Sequence, residues 1–266
     1  MSTRNSKTSK AAARERLRIE REKEVKRAKT RRQLVVAGGV VALLGIAAGV
    51  AVAVNQMNKP SYWSDAAKKP LVKPANTTGT NGTTVIVGDP GNKNTLQEYE
   101  DMRCPVCAAY EQEAGAAVLQ GAKDGKYKIS YTFGTFLDDR EGGNGSKKAL
   151  SALAAALNVS VDAFEQYHTL LYSKKVHPEE TKDEFNDADK LIQLAQQVPA
   201  LKNNAKFSDA VRKGTFDKWA LTMSDTFNKA PGVTGTPTVK LNGKDITVIG
   251  QPQATVMAEI QAGLVK

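Results

Sequence analysis

The stretch DMRCPVC, residues 101–107, holds the only two cysteines of this 266-residue chain. Two residues separate the cysteines, and four uses of such a pair are open: a structural disulfide, half of a metal site, two buried free thiols, or a redox-active dithiol. Which use applies depends on the elements that surround the pair.

A βαβ unit is predicted around the cysteines. TTVIVG (83–88) is short and β-branched, which predicts a strand, and TLQEYED (95–101) predicts a second strand that runs directly into CPVC. The segment after CPVC is rich in helix-forming residues as far as Gly121 or Gly125, and YKISYTFGTFL (127–137) predicts a third strand. The cysteines then lie at the junction of a strand and a helix.

The rest of the chain predicts helices followed by a hairpin. Residues 142–228 show helical spacing of apolar residues, with prolines between the segments. Asn242-Gly243 separates two alternating runs, which predicts a β-hairpin, and residues 254–265 predict a closing helix with an apolar stripe. The chain therefore has an α/β pattern with an all-helical insertion.

Three of the four uses of the cysteine pair fit this pattern poorly. A disulfide across so short a loop restrains little of the unfolded chain. A metal site needs two further ligands, and the chain's two histidines, His168 and His177, stand at spacings unlike those of zinc sites. Inert buried thiols are disfavoured because the polar residues 101–103 and Pro105 indicate an element boundary.

A redox-active dithiol has physical support. Cys104 is predicted to cap a helix whose first residue is Pro105, a position that proline tolerates well. Unpaired backbone N–H groups and the positive end of the helix dipole lower the pKa of a thiol there. Cys107 is predicted to lie one turn further in, more buried than Cys104 and able to attack a mixed disulfide on it. The sequence therefore predicts thiol–disulfide exchange.

The order of elements over residues 83–266 resembles that of the DsbA-like thiol–disulfide oxidoreductases, with CPVC before a helix and a Thr-Pro-Thr before the hairpin. The resemblance implies an enzyme with a thioredoxin fold and an inserted helical block. It implies a cis bond at Thr236-Pro237, where Pro237 shields the disulfide and backbone groups of Thr236 pair with the substrate chain. It also implies that Glu98, six residues before the first cysteine, moves a proton to or from Cys107.

Simpler interpretations of two of these residues stay open: an ordinary trans proline that opens an edge strand, and a surface carboxylate at position 98. We expect no metal and no other cofactor. Strongly oxidising members of the family often carry a histidine between the cysteines, whereas this chain has Pro105 and Val106, and it lacks a second cysteine pair for internal re-oxidation. The direction of the reaction is therefore open.

We expect the enzyme to oxidise cysteine thiols of exported proteins and to be recycled by an unidentified membrane partner. Two alternatives remain. One is a disulfide reductase or isomerase that serves a specific client protein. The other is a tethered binding or chaperone module in which CPVC has no catalytic role.

The positive charge of the chain is confined to its N-terminus. Residues 1–32 hold 13 Lys or Arg and 4 Glu, which accounts for +9 of the formal net charge of +10. The remaining residues are close to neutral, and this excludes a nucleic-acid-binding surface spread over the whole chain. Residues 1–33 are predicted to be a basic cytoplasmic tail.

A membrane anchor is predicted directly after the tail. Residues 34–54 form an uncharged segment of 21 residues, and at ~1.5 Å per residue such a helix crosses a bilayer core in contact with lipid. The positive-inside rule then places the rest of the chain outside the cytoplasm, where thiols can be oxidised. A signal peptide cleaved near Ala53 is the alternative. Residues 55–82 predict a linker, with Tyr62 and Trp63 as an aromatic anchor at the membrane interface.

Overall fold

A computed structural model describes residues 61–265. The predicted tail (1–33) and the predicted transmembrane helix (34–54) lie outside the described residues. Within residues 61–265, no helix combines the length and the apolar character needed to cross a membrane. The membrane anchor therefore stays a prediction from the sequence.

Six strands form one mixed sheet. They are β1 (Thr77–Thr78), β2 (Thr84–Val87), β3 (Thr95–Asp101), β4 (Lys128–Gly134), β5 (Thr238–Leu241) and β6 (Lys244–Ile246). In space their order is β1-β2-β4-β3-β5-β6. β3 runs parallel to β4 and antiparallel to β5, so the strand that leads into the cysteines is central and paired on both sides.

Helices precede, interrupt and follow these strands. They are α1 (Tyr62–Lys68), α2 (Pro105–Tyr110), α3 (Ala116–Lys123), α4 (Phe136–Arg140), α5 (Gly145–Val159), α6 (Val161–Tyr172), α7 (Ala188–Ala195), α8 (Ala205–Lys213), α9 (Asp217–Asn228) and α10 (Gln253–Gly263). A π-helical turn over Glu111–Gly115 joins α2 to α3, and short 3₁₀ turns cover Thr80–Gly82 and Glu184–Asn186. The predicted helical insertion corresponds to α5 through α9, and the predicted α/β pattern with an inserted helical block is confirmed.

Side chains along β4 alternate between the two faces of the sheet. Tyr131 and Phe133 point to one face, where their rings pack against Phe164 of α6. Gly134 points to the other face, where Phe227 of α9 lies so close that a Cβ on the glycine would be 2.8 Å from its ring. Because successive strand residues face opposite sides, helices cover both faces of the sheet.

The side chains of β3 alternate between the same two faces of the sheet, because β3 is paired in register with β4. Glu98 is paired with Tyr131 and Glu100 with Phe133, so both glutamates point to the face covered by α6. Tyr99 points to the opposite face and contacts α9. Both glutamates are 0% exposed, so the strand before CPVC brings two carboxyl groups into the core.

The hairpin predicted at Asn242-Gly243 is confirmed. Both residues have positive φ, 53° and 81°, as a two-residue turn between β5 and β6 requires. The predicted closing helix is α10, in which Val256 and Ile260 are buried. These elements are local in sequence, so their patterns were sufficient to predict them.

The prediction of a strand over residues 127–137 is wrong at its end. The strand stops at Gly134, and the following aromatic and apolar residues belong to α4. Asp138 and Asp139 lie in the first turn of this helix, where carboxylates interact favourably with the positive end of its dipole.

The prediction of a linker over residues 55–82 is wrong from residue 62 onwards. The Tyr62 hydroxyl donates to Asp217 of α9, and the ammonium of Lys148 lies 3.9 Å above the Tyr62 ring. β1 adds a strand at the sheet edge. The aromatic residues of this segment therefore pack on the folded unit instead of serving as a free interfacial anchor. The sequence pattern missed this because the partner of Tyr62 is 155 residues away.

Candidate active site

Cys104 and Cys107 lie at the junction of β3 and α2, as predicted. Cys104 is the N-cap of α2 and Pro105 is its first residue. The N–H of Cys104 donates to the carbonyl of Asp101 at 2.9 Å, and the N–H of Cys107 donates to Cys104 Sγ at 3.4 Å. Cys107 is 0% exposed and Cys104 is 6% exposed, so only the first thiol has an opening to solvent, and that opening is narrow.

The two thiols have opposite electrostatic surroundings. Hydrogen bonds, first with Cys107 and then with Thr236 and backbone groups, lower the pKa of the Cys104 thiol to about 6, although burial opposes this. Burial raises the pKa of Cys107 well above its usual range, and its hydrogen bond with Cys104 and the charge of Glu100 act in the same direction. At neutral pH Cys104 is therefore a thiolate beside a Cys107 thiol, as thiol–disulfide exchange requires.

Thr236 and Pro237 lie opposite Cys104. The peptide bond between them is cis, as the family resemblance implied, and in its thiol form Cys104 donates a hydrogen bond to the Thr236 carbonyl at 3.5 Å. A cleft of about 300 Å³ opens beside Pro237, and Ile249, 57% exposed, is part of its lining. Val106, between the cysteines, is 38% exposed. Apolar surface is therefore open to solvent both at CPVC and beside the cis-proline.

Glu98 is fully buried, so the alternative of a surface carboxylate at this position is wrong. Its Oε1 accepts a hydrogen bond from the Tyr110 hydroxyl at 3.4 Å, and its Oε2 has no partner. Burial, and then the charges of Glu111 and Glu100, raise the pKa of Glu98 well above its usual range. Proton exchange between Glu98 and Cys107 stays a prediction.

A second buried glutamate, Glu100, was not singled out from the sequence. Its Oε2 lies 2.8 Å from Nε2 of His168, and one polar side-chain atom from each of Glu100, Glu111 and His168 lies within 4.8 Å of the other two; we call these three residues the Glu100 cluster. The period of two along a strand was the available signal, because it puts Glu98 and Glu100 on one face. Nothing in the sequence indicated that α6 would bring His168 to that face.

Residues 101–103 lie at the predicted element boundary and are buried, although Asp101 and Arg103 are charged residue types. Nη1 of Arg103 donates to Asp138 at 3.0 Å, and the guanidinium also donates to two backbone carbonyls of the helical insertion. Asp101 accepts a hydrogen bond from Ser146 at 2.6 Å and two more from backbone N–H groups. These bonds connect the strand before CPVC to α4 and α5.

A mixed sheet, a CxxC pair at the start of a helix and a cis-proline opposite the first cysteine together define a protein with the thioredoxin fold and a dithiol site. The chain belongs to the thioredoxin family, whose sequence model matches residues 80–258. No curated protein sequence matches the chain.

Solved structures extend the comparison. The reduced form of the disulfide bond oxidoreductase DsbG from Mycobacterium tuberculosis is 28% identical, covers 68% of this chain and 87% of its own, and superposes with a TM-score of 0.57. Reduced DsbA from the same organism (23% identity, 68% and 99% coverage, TM-score 0.53) and oxidised BdbD from Bacillus subtilis (20%, 72% and 98%, 0.57) share the fold. The predicted resemblance is confirmed, and the chain is placed among the DsbA-like thiol–disulfide oxidoreductases.

Proposed function

We propose that this protein is a membrane-tethered oxidoreductase that introduces disulfides into exported proteins through Cys104 and Cys107. The observation that carries the proposal is the difference between the two thiols. Hydrogen bonding lowers the pKa of Cys104 to about 6, and a stabilised thiolate favours the dithiol form of the protein. A protein whose dithiol form is stabilised oxidises its partners.

The chemistry follows the positions of the two sulfurs. A substrate thiolate attacks Sγ of Cys104 in the oxidised enzyme, the Cys104–Cys107 bond breaks, and its electron pair passes to Cys107, which takes up a proton. A second substrate thiolate then attacks the substrate sulfur of this mixed disulfide and releases Cys104 as a thiolate. The substrate gains one disulfide and the enzyme gains two electrons.

Exposed apolar surface supports a polypeptide substrate. The cleft beside Pro237 and the exposed Val106 offer apolar contacts next to the reacting sulfur. The substrate chain would pair with backbone groups of Thr236, which already contacts Cys104 through its carbonyl. Such contacts are sequence-tolerant, as an enzyme that acts on many exported proteins requires.

The location rests on the sequence. The uncharged residues 34–54 behind a basic tail place the dithiol outside the cytoplasm, in contact with lipid only through the anchor. A single cysteine pair cannot re-oxidise itself, so a membrane redox partner would recycle the enzyme.

The reduction potential of CPVC tests the direction of the reaction. The full-length protein in detergent would be equilibrated with glutathione buffers, and alkylation at graded pH would report the Cys104 pKa. We expect a potential closer to about −120 mV, typical of an oxidant, than to about −270 mV, typical of thioredoxin. Iodoacetamide should label Cys104 with an apparent pKa of about 6 and leave Cys107 unlabelled.

A potential near the thioredoxin value would replace the oxidase proposal with a reductase or isomerase, a role that the uncharged Val106 would suit. The Cys104→Ser, Cys107→Ser variant removes both thiols and so distinguishes any of these redox functions from that of a binding module. If cells with this variant retain full activity, the protein acts without its dithiol.

A further inference from the structure

A cleft of about 260 Å³ lies where the segment after α1 meets the junction of α8 and α9. Three of the residues that line it are lysines, Lys69, Lys213 and Lys218, and Val72 adds an apolar wall; we call this site the basic cleft. It shares no residue with the cleft beside Pro237. The basic cleft is therefore a surface separate from the one proposed for the substrate.

The lysines of the basic cleft are not neutralised by nearby carboxylates. Lys69 and Lys218 form no ion pair with any residue of the described range 61–265. Lys213 lies 3.0 Å from Asp209, one helical turn before it, and both side chains are largely exposed. An exposed pair of this kind contributes little, so Lys213 is free to exchange Asp209 for another anion.

One carboxylate lies beneath the basic cleft, and the protein already balances its charge. Asp217 is 0% exposed, and the bare Gly214 passes so close that a Cβ there would lie 2.1 Å from its Oδ2. The same oxygen accepts a hydrogen bond from the Tyr62 hydroxyl and lies 3.5 Å from the ammonium of Lys148. The three lysines that line the cleft therefore carry an excess of positive charge.

Apolar side chains are exposed beside these lysines. Although Tyr62 packs on the folded unit, 49% of it stays exposed, and Val72 is 44% exposed. The ammonium of Lys69 lies 6.0 Å from the centre of the Tyr62 ring, which places the tyrosine next to the basic cleft. An aromatic ring and an aliphatic side chain among lysines suit the boundary between lipid headgroups and acyl chains.

The length of chain before α1 limits how far this surface can lie from the membrane. The predicted anchor ends at residue 54 and α1 begins at Tyr62, so eight Cα–Cα steps join them. At ~3.6 Å per step or less, these steps span at most about 29 Å. Lys69 follows the last residue of α1, only about 10 Å further along the helix. The basic cleft is therefore kept within reach of the lipid headgroups.

The folded unit as a whole has no charge that would attract it to an anionic surface. Residues 61–265 hold 23 Lys or Arg against 24 Asp or Glu. The lysines are concentrated at the tethered end, because residues 61–73 hold three lysines and Asp65 as the one acidic residue. Attraction to anionic headgroups is therefore confined to the face that carries the basic cleft.

We propose that the basic cleft binds the phosphate group of an anionic phospholipid and holds the folded unit against the membrane surface; this inference rests on the membrane tether of the proposed function. The ammonium groups of Lys69, Lys213 and Lys218 donate to the phosphate oxygens. Tyr62 and Val72 contact the boundary between headgroups and acyl chains. Bound in this way, the unit does not rotate freely on its tether, and Cys104 keeps one orientation towards the membrane redox partner.

The test uses the full-length protein in nanodiscs of phosphatidylcholine, with or without about 30% phosphatidylglycerol. A membrane-impermeant reagent, sulfosuccinimidyl acetate, acetylates accessible lysines, and mass spectrometry gives the rate at each one. In the anionic discs the rates at Lys69, Lys213 and Lys218 should each fall about 5-fold, the factor that corresponds to the attraction of one lysine to an anionic surface. The rate at Lys244, exposed on the β5–β6 hairpin, should be the same in both discs.

A double variant tests whether the lysines act as one site. In Lys213→Gln, Lys218→Gln, the acetylation rate of Lys69 in anionic discs should rise to its rate in neutral discs. Lys126→Gln, Lys244→Gln is the matched control and should leave Lys69 protected. It also removes two positive charges, one of them from an exposed ion pair, since Lys126 lies 3.7 Å from Asp124. Circular dichroism shows whether each variant is folded, and the comparison of the two discs with the wild type needs no variant.

Three results would overturn the inference. The first is an equal acetylation rate of Lys69 in the two kinds of disc. The second is undiminished protection of Lys69 in Lys213→Gln, Lys218→Gln, which would show a general attraction of lysines to the bilayer. The third is equal protection of Lys69 by millimolar inorganic phosphate in neutral discs, which would show a site for soluble phosphate instead of lipid.

Failure of the inference and failure of the proposed function give different results. If the full-length protein does not co-elute with the nanodiscs in gel filtration, the tether fails and the lipid site fails with it. If the protein co-elutes and the rates at Lys69 are equal, only the lipid site fails. The rate at which glutathione opens the Cys104–Cys107 disulfide should be the same in the wild type and in Lys213→Gln, Lys218→Gln, because the basic cleft takes no part in the redox chemistry.

Discussion

Two buried polar clusters flank the cysteines, and their charges are balanced in different ways. On one side, the Arg103 network (Arg103, Asp101, Asp138 and Ser146) joins the end of β3 to α4 and α5. Here the guanidinium faces the Asp138 carboxylate, backbone and hydroxyl groups donate to Asp101, and only Nε of Arg103 lacks a partner within this network. On the other side, the Glu100 cluster has two carboxyl groups and an imidazole with no permanent cation among the described residues.

The difference separates a cluster that holds a permanent cation from one that holds none among the described residues. A guanidinium keeps its charge over the whole physiological pH range, so the bonds of Arg103 hold the strand in place whatever the redox state. Groups whose charges are balanced only by protons gain and lose them when a nearby charge changes. The Arg103 network fixes the position of CPVC, whereas the Glu100 cluster gains or loses protons when a nearby charge changes.

The largest effect is expected from Arg103→Ala. The variant removes the guanidinium from the buried Asp138 carboxylate, which keeps the Lys147 ammonium at 3.6 Å and two backbone N–H donors. Removing one member of a buried ion pair costs about 3–5 kcal/mol of unfolding free energy. Urea denaturation of the reduced protein measures it. Arg212→Ala, which removes an exposed ion pair with Asp189, is the control and should cost no more than about 1 kcal/mol. If both variants lose the same small free energy of unfolding, the Arg103 network has no structural role.

The Glu100 cluster predicts that stability falls as pH rises. Glu100 and Glu111 have pKa values of about 8 in the folded protein against 4.5 ordinarily, so the native state binds more protons than the unfolded chain between these values. In a Cys104→Ser, Cys107→Ser background, where no thiol titrates, the free energy of unfolding should fall by at least ~1 kcal/mol from pH 5 to pH 8.5.

Glu111→Gln in the same background sharpens this prediction. Glutamine resembles the protonated glutamate, so the variant should match its parent near pH 5 and be the more stable of the two at pH 8.5. The effect of Asp101, whose burial raises its pKa to about 7, is common to both proteins and cancels in the difference. If the free energies of unfolding of the two proteins changed in parallel with pH, the carboxyl groups of the Glu100 cluster would not be neutralised by protons.

The smallest effect is expected from Ser146→Ala. The serine hydroxyl donates to Asp101 at 2.6 Å, and its loss leaves the two backbone donors in place. Because a net hydrogen bond to a charged group contributes on the order of 1–3 kcal/mol, we expect a loss near the lower end of this range. The rate at which glutathione opens the Cys104–Cys107 disulfide should be unchanged. A change in the pH profile of this rate would contradict the view that the Arg103 network and the Glu100 cluster act independently.

The sequence by itself determined the local parts of this protein. CPVC between a β-branched strand and a helix indicated an N-capping thiol with a buried partner, and Asn242-Gly243 indicated the hairpin. Patterns of this kind repeat within a few residues and depend on backbone geometry, which is why they could be interpreted without a structure. The cis-proline opposite Cys104 followed from family resemblance, not from any local pattern.

Only the tertiary structure decided which polar residues are buried and what they contact. Arg103 is in the core because Asp138 comes to it from 35 residues away, and Glu100 meets His168 across 68 residues. Tyr62 belongs to the folded unit because Asp217 lies beside it. A charged residue is tolerated inside a protein only where distant groups satisfy it, so its burial cannot be inferred from its neighbours in the chain.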